Sequence, residues 1–258
     1  MTTSRTSAVY VYCVLSAPRR PRTAGAPAGV AHATAPELQE VARGLWLVVS
    51  TVPLEVYGPS NLEPRLQDLD WVAHVAVAHE AVNEFFARAS GVVVVPMKLF
   101  TMFSSLDKAI DDVRARRAAI GRVVRRVAGC EEWGVRVTRR PIREPSGDGS
   151  RASTGAEFLQ ARKAARDAAA NARTAALGAA ETVFDRLKRL SKDARRRSRG
   201  TESGTNPPLL EAAFLVRTTA RAKFRTEARR QAAIAGKAGA DLTLTGPWPA
   251  YNFVGEGA

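Results

Sequence analysis

The residues best suited to recognition are four arginines, Arg217, Arg221, Arg225 and Arg229, in the stretch "RTTARAKFRTEAR". Residues four apart share one side of a helix, so a helix here would align the guanidinium groups and turn Ala220, Phe224, Ala228 and Ala235 toward a core. Like charges at that spacing disfavour an isolated helix by about a few tenths of a kcal/mol per pair. The face is then either solvated and screened by salt and by Glu227, or it meets an acidic protein surface or phosphates. Groups able to make or break bonds are scarce. His74 and His79 are about 500° apart around a helix and cannot pinch one metal ion. His79 borders an apolar stripe, which suits a packed, hydrogen-bonded histidine. Cys13 and Cys130 have no Cys or His at metal spacing and suit buried small hydrophobes. The chain has no GxGxxG after a strand, no GxxxxGK[ST], no HExxH and no GxSxG. Acidic residues do not pair for acid–base work. No catalytic, cofactor-binding or metal-binding residue is assigned, and no cofactor is expected.

The 258 residues, 45% of them hydrophobic, suffice for one large core or two modest ones. Two domains of roughly 120 residues are expected. No run reaches the ~18 apolar residues of a membrane span, and "AVYVYCVL" near the start is too short and β-branched for a signal segment. A soluble, cytoplasmic protein with no lipid-membrane partner is expected. The net charge of +14 is concentrated between about Arg139 and Arg230. It points to a polyanionic partner or an acidic protein surface, or reflects an arginine-rich composition. Nucleic-acid binding is the alternative the charge invites. It is not the expected role, because no helix-turn-helix, basic zipper or stacking sheet is evident.

The elements that must position these residues follow from periodicity. Ala8–Leu15 has apolar side chains at both parities, as in a strand covered on both faces. Ser16 to Pro36 is rich in Pro, Gly and Ala and is a surface loop. "GLWLVVSTVPLEVYG" is β-prone. From Asp70 to Ala89, Trp71, Val75, Ala78, Val82 and Phe85 form one helical stripe. "GVVVVPMKLFTMF" is a strand placed near an edge by Pro96. Ser104 caps a helix whose buried side runs from Leu106 through Ile110, Val113, Ile120 and Val124 to Val127, and Gly129 ends it. "EEWGVRVTRR" is a strand with Trp133, Val135 and Val137 on one face. After a loop over Pro141 to Gly155, a helix from Ala156 to about Arg195 would be about 60 Å long, so it must project, bend or break, with Gly178 the weakest point. "RRRSRGTESGTNPP" is a loop. "LLEAAFLVR" is a strand, "TTARAKFRTEARRQAAIAGKAG" a helix and "DLTLTGPWPAYNFV" a terminal strand. The order suits an α+β fold with helices on one side of the second sheet.

The terminal segment, through Thr245, Gly246, Pro247, Trp248, Pro249, Tyr251, Asn252, Phe253 and Val254, resembles the "TGPWPPY-F" ending of the gas vesicle GvpL/GvpF family, with Ala250 in place of a proline. "YVYCVL", "VVVVPMKLFTMF", "GCEEWGVRV" with Trp133, "GAEFLQARK" and "EAAFLVR" fall in family order. One departure stands out. Where the family tends to read P-x-R-F-G-T, this chain has Pro96, Met97, Lys98, Leu99, Phe100 and Thr101, so Phe100 stands at the glycine. The resemblance implies two α/β domains, residues 1–129 and 130–258, the second a modified ferredoxin-like fold with a long helix. It also implies an accessory protein of gas vesicle formation, not an enzyme, located at the gas vesicle and contacting the hydrophobic shell protein and other accessory proteins. Pro247 and Pro249 fix the backbone around the indole. Trp248, Tyr251 and Phe253 are expected to close the core of the second domain, so that Trp248→Ala would cost about 3–5 kcal/mol.

Overall fold

The computed structural model describes residues 6–140, 155–197 and 207–255. It divides into two compact units, Met1–Glu131 with Trp248–Ala258, and Glu132–Pro247.

In the first unit, β1 (Ser7–Ser16) is paired antiparallel with β3 (Leu45–Pro53), with β4 (Val93–Pro96) and with β5 (Met102–Phe103). The sheet runs β2 (Glu37–Ala42), β3, β1, β4, with β5 off that path. Both faces are covered, which is why β1 is apolar at both parities. On one face Tyr10, Tyr12 and Leu15 pack with Tyr57 of α1 (Leu54–Tyr57) and with Val75, Val82 and Phe86 of α3 (Leu69–Ala87). On the other, Val11 and Val14 meet Ala109 and Val113 of α4 (Leu106–Ala115) and Ile120 of α5 (Arg117–Val127). A register shift between Val11 and Cys13 puts Tyr12 and Cys13 on the same face. The short α2 (Pro59–Arg65) precedes α3.

Local chemistry sets the helix ends. Asp68 accepts from the amides of Asp70 and Trp71 and starts α3. The deepest residues of α3 are Val75, His79, Val82, Asn83 and Phe86, with Trp71, Ala78 and Phe85 flanking them against the core. The cap of α4 is Ser105, whose hydroxyl accepts from Lys108, rather than Ser104. The predicted single helix breaks at Arg116, and Gly129, at φ +65°, follows α5 as the expected stop.

The second unit contains β6 (Cys130–Arg139, from Glu132 on), α6 (Gly155–Lys188), β7 (Asp193–Arg196), β8 (Leu210–Arg217), α7 (Arg221–Lys237) and β9 (Ala240–Trp248, through Pro247). Its sheet is ordered β7-β8-β6-β9. That order, with one helix after the first strand and another after the third, is the ferredoxin-like arrangement. Trp133, Val135 and Val137 of β6 and Ala212, Phe214 and Val216 of β8 form one core with the end of α6 and the inner side of α7.

The 34-residue α6 is unbroken through Gly178 and about 50 Å long. It projects: residues 155–175 are exposed on every side, and its buried positions are Ala176, Ala180, Val183, Phe184 and Leu187. Two strands escaped the sequence reading. β7 is "DARR", with no apolar pattern, and β2 is "ELQEVA", bulged between Glu40 and Ala42 so that its alternation is broken. The loops expected at Pro141 to Gly155 and in "RRRSRGTESGTNPP" fall largely outside the described residues.

Candidate interaction surfaces

The arginine series is shorter than its spacing suggests. Arg217 ends β8, a single 3-10 turn covers Thr218–Ala220, and α7 starts only at Arg221. Backbone pairing in β8 takes Arg217 off the helical phase, so the helical stripe is Arg221, Arg225 and Arg229. All four are exposed. Their helix is held by Phe224, Ala228, Gln231 and Ala235 on its buried side. The ring of Phe224 lies 6.1 Å from that of Trp133, and the Arg225 guanidinium sits over Trp133 at 6.0 Å. Trp133 is thus a buried core residue that also orients one cation. Glu227 accepts from Gln231 at 2.8 Å and lies 3.4 Å from Arg230.

β9 ends its sheet, and its Leu242 and Leu244 are half-buried while Asp241, Thr243 and Thr245 are exposed. Among the described residues no strand pairs with its outer side. Arg140 and Asp241 form an exposed ion pair beside its start, which lowers the Asp241 carboxyl from its usual range through the guanidinium hydrogen bond.

The terminal signature divides. Gly246 has φ +118°, and a Cβ there would stand 2.8 Å from the Glu132 carbonyl and 3.4 Å from Trp133. Pro247 and Trp248 are exposed, Trp248 to 38%, whereas Pro249 and Ala250 are buried. Asn83 donates to the Tyr251 hydroxyl at 2.6 Å. Burial, and then the Glu80 carboxylate, push that hydroxyl well above the ordinary tyrosine range. Phe253 is fully buried, with the Arg126 guanidinium 6.0 Å from its ring. The expectation that Trp248, Tyr251 and Phe253 close the second domain is therefore corrected. Beyond Trp248, Pro249 cannot donate to a ladder, the chain leaves the sheet, and Tyr251 and Phe253 pack within the first unit. With Trp248 partly exposed and Phe253 fully buried, the larger truncation cost is expected at Phe253.

His74 and His79 are separate. His74 Nδ1 is 2.7 Å from the Asp70 carbonyl on the surface of α3. His79 Nδ1 lies 2.9 Å from the Tyr10 hydroxyl, beside Tyr12, whose own hydroxyl donates to Ser50. Burial lowers the pKa of His79 to about 4, so it is neutral. Sequence reasoning missed this polar cluster because Tyr10 and Tyr12 alternate as ordinary strand residues. Among the described residues no group of three or more His, Cys, Asp or Glu is arranged to hold a metal ion, and no helix is long and apolar enough to cross a membrane.

The family model described as "Gas vesicle synthesis protein GvpL/GvpF" matches residues 8–255. The chain belongs to the GvpL/GvpF family. "Gas vesicle protein L" of Streptomyces sp. (strain CB03234) is 29% identical over 265 residues, spanning 95% of this chain and 92% of that protein. The crystal structure of the gas vesicle protein GvpF from Anabaena sp. PCC7120 superposes with a TM-score of 0.67 at 15% identity, covering 97% of each chain. GvpF from Microcystis aeruginosa gives 0.66 at 11% identity, covering 96% of this chain and 99% of that one. These structures share the two-part α/β fold. A GvpL/GvpF protein is a gas vesicle protein with an accessory role.

Proposed function

We propose that this chain is an assembly factor that holds the hydrophobic shell protein and other accessory proteins while a gas vesicle forms in the cytoplasm, by surface contact and with no bond-making chemistry. The observation that carries this reading is the family match along residues 8–255. Physical chemistry supports it. Subunits of a gas-filled shell must be strongly apolar on one side and would aggregate before incorporation unless that side or their strand edges were covered reversibly. The edge of β9 suits strand addition, in which main-chain hydrogen bonds provide affinity and alternate side-chain positions provide choice. Arg217 and the α7 arginines Arg221, Arg225 and Arg229 suit steering of acidic partner segments.

The test is capture of purified shell protein by the immobilised chain. Replacing Arg221, Arg225 and Arg229 with Glu should abolish capture while circular dichroism stays native. Undiminished capture would remove the arginine face from the mechanism. Normal vesicles in a host lacking the gene would overturn the assembly role itself.

A further inference from the structure

The first unit carries a trough that none of these surfaces uses. It lies between the loop after β1 and the second half of α3, with a volume of about 850 Å³. One wall is Pro18–Arg22, "PRRPR", and the floor is Ala81, Phe85, Ala89 and Val92.

The wall is built to stand still. Pro18 and Pro21 fix their own torsions, hold Ala17 and Arg20 extended, and offer no amide for pairing. The Ala17 amide donates to the Gly44 carbonyl at 3.0 Å, and the Ala26 amide to that of Thr23 at 2.9 Å. Arg20 clamps the wall from behind, donating to the Leu38 carbonyl at 3.3 Å with its guanidinium 5.6 Å from the Trp46 ring centre. That leaves Arg19 and Arg22 exposed on the rim. Across the trough Arg88 pairs with Glu84 at 2.5 Å, the one carboxylate in the lining. Arg19 and Arg22 therefore border an apolar floor whose one carboxylate, Glu84, is already paired with Arg88.

The charge says that the occupant is acidic, and the floor says that it also has an apolar side chain. A bare phosphate would gain nothing from Ala81 and Phe85. We propose that this trough binds a short acidic segment of a partner protein. An aliphatic or aromatic side chain rests on Ala81 and Phe85, flanking Asp or Glu carboxylates meet Arg19 and Arg22, and Arg20 holds the wall in position.

The test is fluorescence anisotropy of a fluorescein-labelled Asp-Glu-Leu-Phe-Glu-Asp peptide titrated with the whole protein at low salt. Saturable binding is expected, weakened roughly tenfold or more by Arg19→Glu with Arg22→Glu, and by added salt. Ala81→Glu, which places a like charge on the floor of a helix that tolerates glutamate, should weaken it as strongly. The Arg221→Glu, Arg225→Glu, Arg229→Glu variant should bind as the parent does, so shell-protein capture and peptide binding fail separately. Absence of saturable binding, or unchanged affinity in the Arg19, Arg22 double variant, would overturn the proposal. Equal binding of hexaglutamate would remove the role of the floor. Displacement by equimolar ATP or by a short oligonucleotide would assign the trough to phosphates instead. Thermal melts of each variant separate lost binding from lost folding, and the two rim arginines, being exposed, provide the variant that keeps its fold.

Discussion

Gly246 and Phe100 both hold a left-handed backbone within proline-marked segments that carry the family likeness, and they do so by opposite means. At Gly246, φ is +118°, and the Glu132 carbonyl would lie 2.8 Å from any Cβ. Glycine is required there for room as well as for torsion. At Phe100, φ is +62° on a residue that carries a full side chain. An L-residue in that region costs roughly 1–2 kcal/mol. The cost is offset locally: the Phe100 ring stacks on Trp71 at 5.6 Å and 11°, Arg65 covers the same indole at 5.5 Å, and the Phe100 amide donates to the Tyr10 hydroxyl at 3.5 Å. Aromatic pairs of this kind contribute about 0.5–1.5 kcal/mol beyond their burial. Packing can replace a glycine's torsion, but nothing replaces missing space.

Three measurements test that contrast. The largest effect is expected from Gly246→Ala, where torsional strain and the forced shift of β6 against β9 together should cost about 2–4 kcal/mol in a denaturant titration. A cost under about 1 kcal/mol would mean that the two strands separate easily and that Gly246 resembles Phe100 after all.

Acid should come next and should act on one turn only. Because Phe100 N–H donates to the Tyr10 hydroxyl, that hydroxyl's own hydrogen is available to the Nδ1 of neutral His79. The folded pKa of His79 is lowered by burial from 6.5 to about 4, so between these values the unfolded chain binds the extra proton. The His79 contribution is complete above about pH 6.5 and is lost as pH falls toward 4, a change of roughly 2–3 kcal/mol. Hydrogen exchange should show the Phe100 amide losing protection over that window while the Gly246 region keeps its own. Equal loss at both would erase the distinction.

The smallest effect is a difference between two variants. Phe100→Ala keeps the unfavourable torsion and loses the stack, whereas Phe100→Gly loses the stack but relieves the torsion, so the glycine variant should be the more stable by about 1 kcal/mol. Equal melting points would show that the torsion carries no cost in this setting.

What could be seen in the sequence was whatever depends on neighbours along the chain. The doubly covered β1, the stripe of α3, the stop at Gly129 and the unusual length of α6 all follow from periodicity or turn chemistry over a few residues. What escaped depends on partners far away. "DARR" becomes β7 only because β8 offers it a ladder from Asp193 opposite Leu215 to Arg196 opposite Ala212. Arg217 has perfect helical spacing, yet the strand claims it. Tyr251 and Phe253 have the composition of core residues, but nothing in "PWPAYNFV" states which core. The candidate surface was legible at Arg221, Arg225 and Arg229, where one helix sets the geometry. The proline-walled trough was not, since its floor and wall are about sixty residues apart in the chain.

The return of Tyr251 and Phe253 to the first unit makes that unit discontinuous, with the whole of Glu132–Pro247 inserted before its final piece. During synthesis on the ribosome the amino-terminal sheet can therefore gather, but the hydrogen bond from Asn83 to Tyr251 and the burial of Phe253 wait until translation has passed residue 253. An interrupted polypeptide would carry an unfinished first unit, lacking the segment that Asn83 and Arg126 meet.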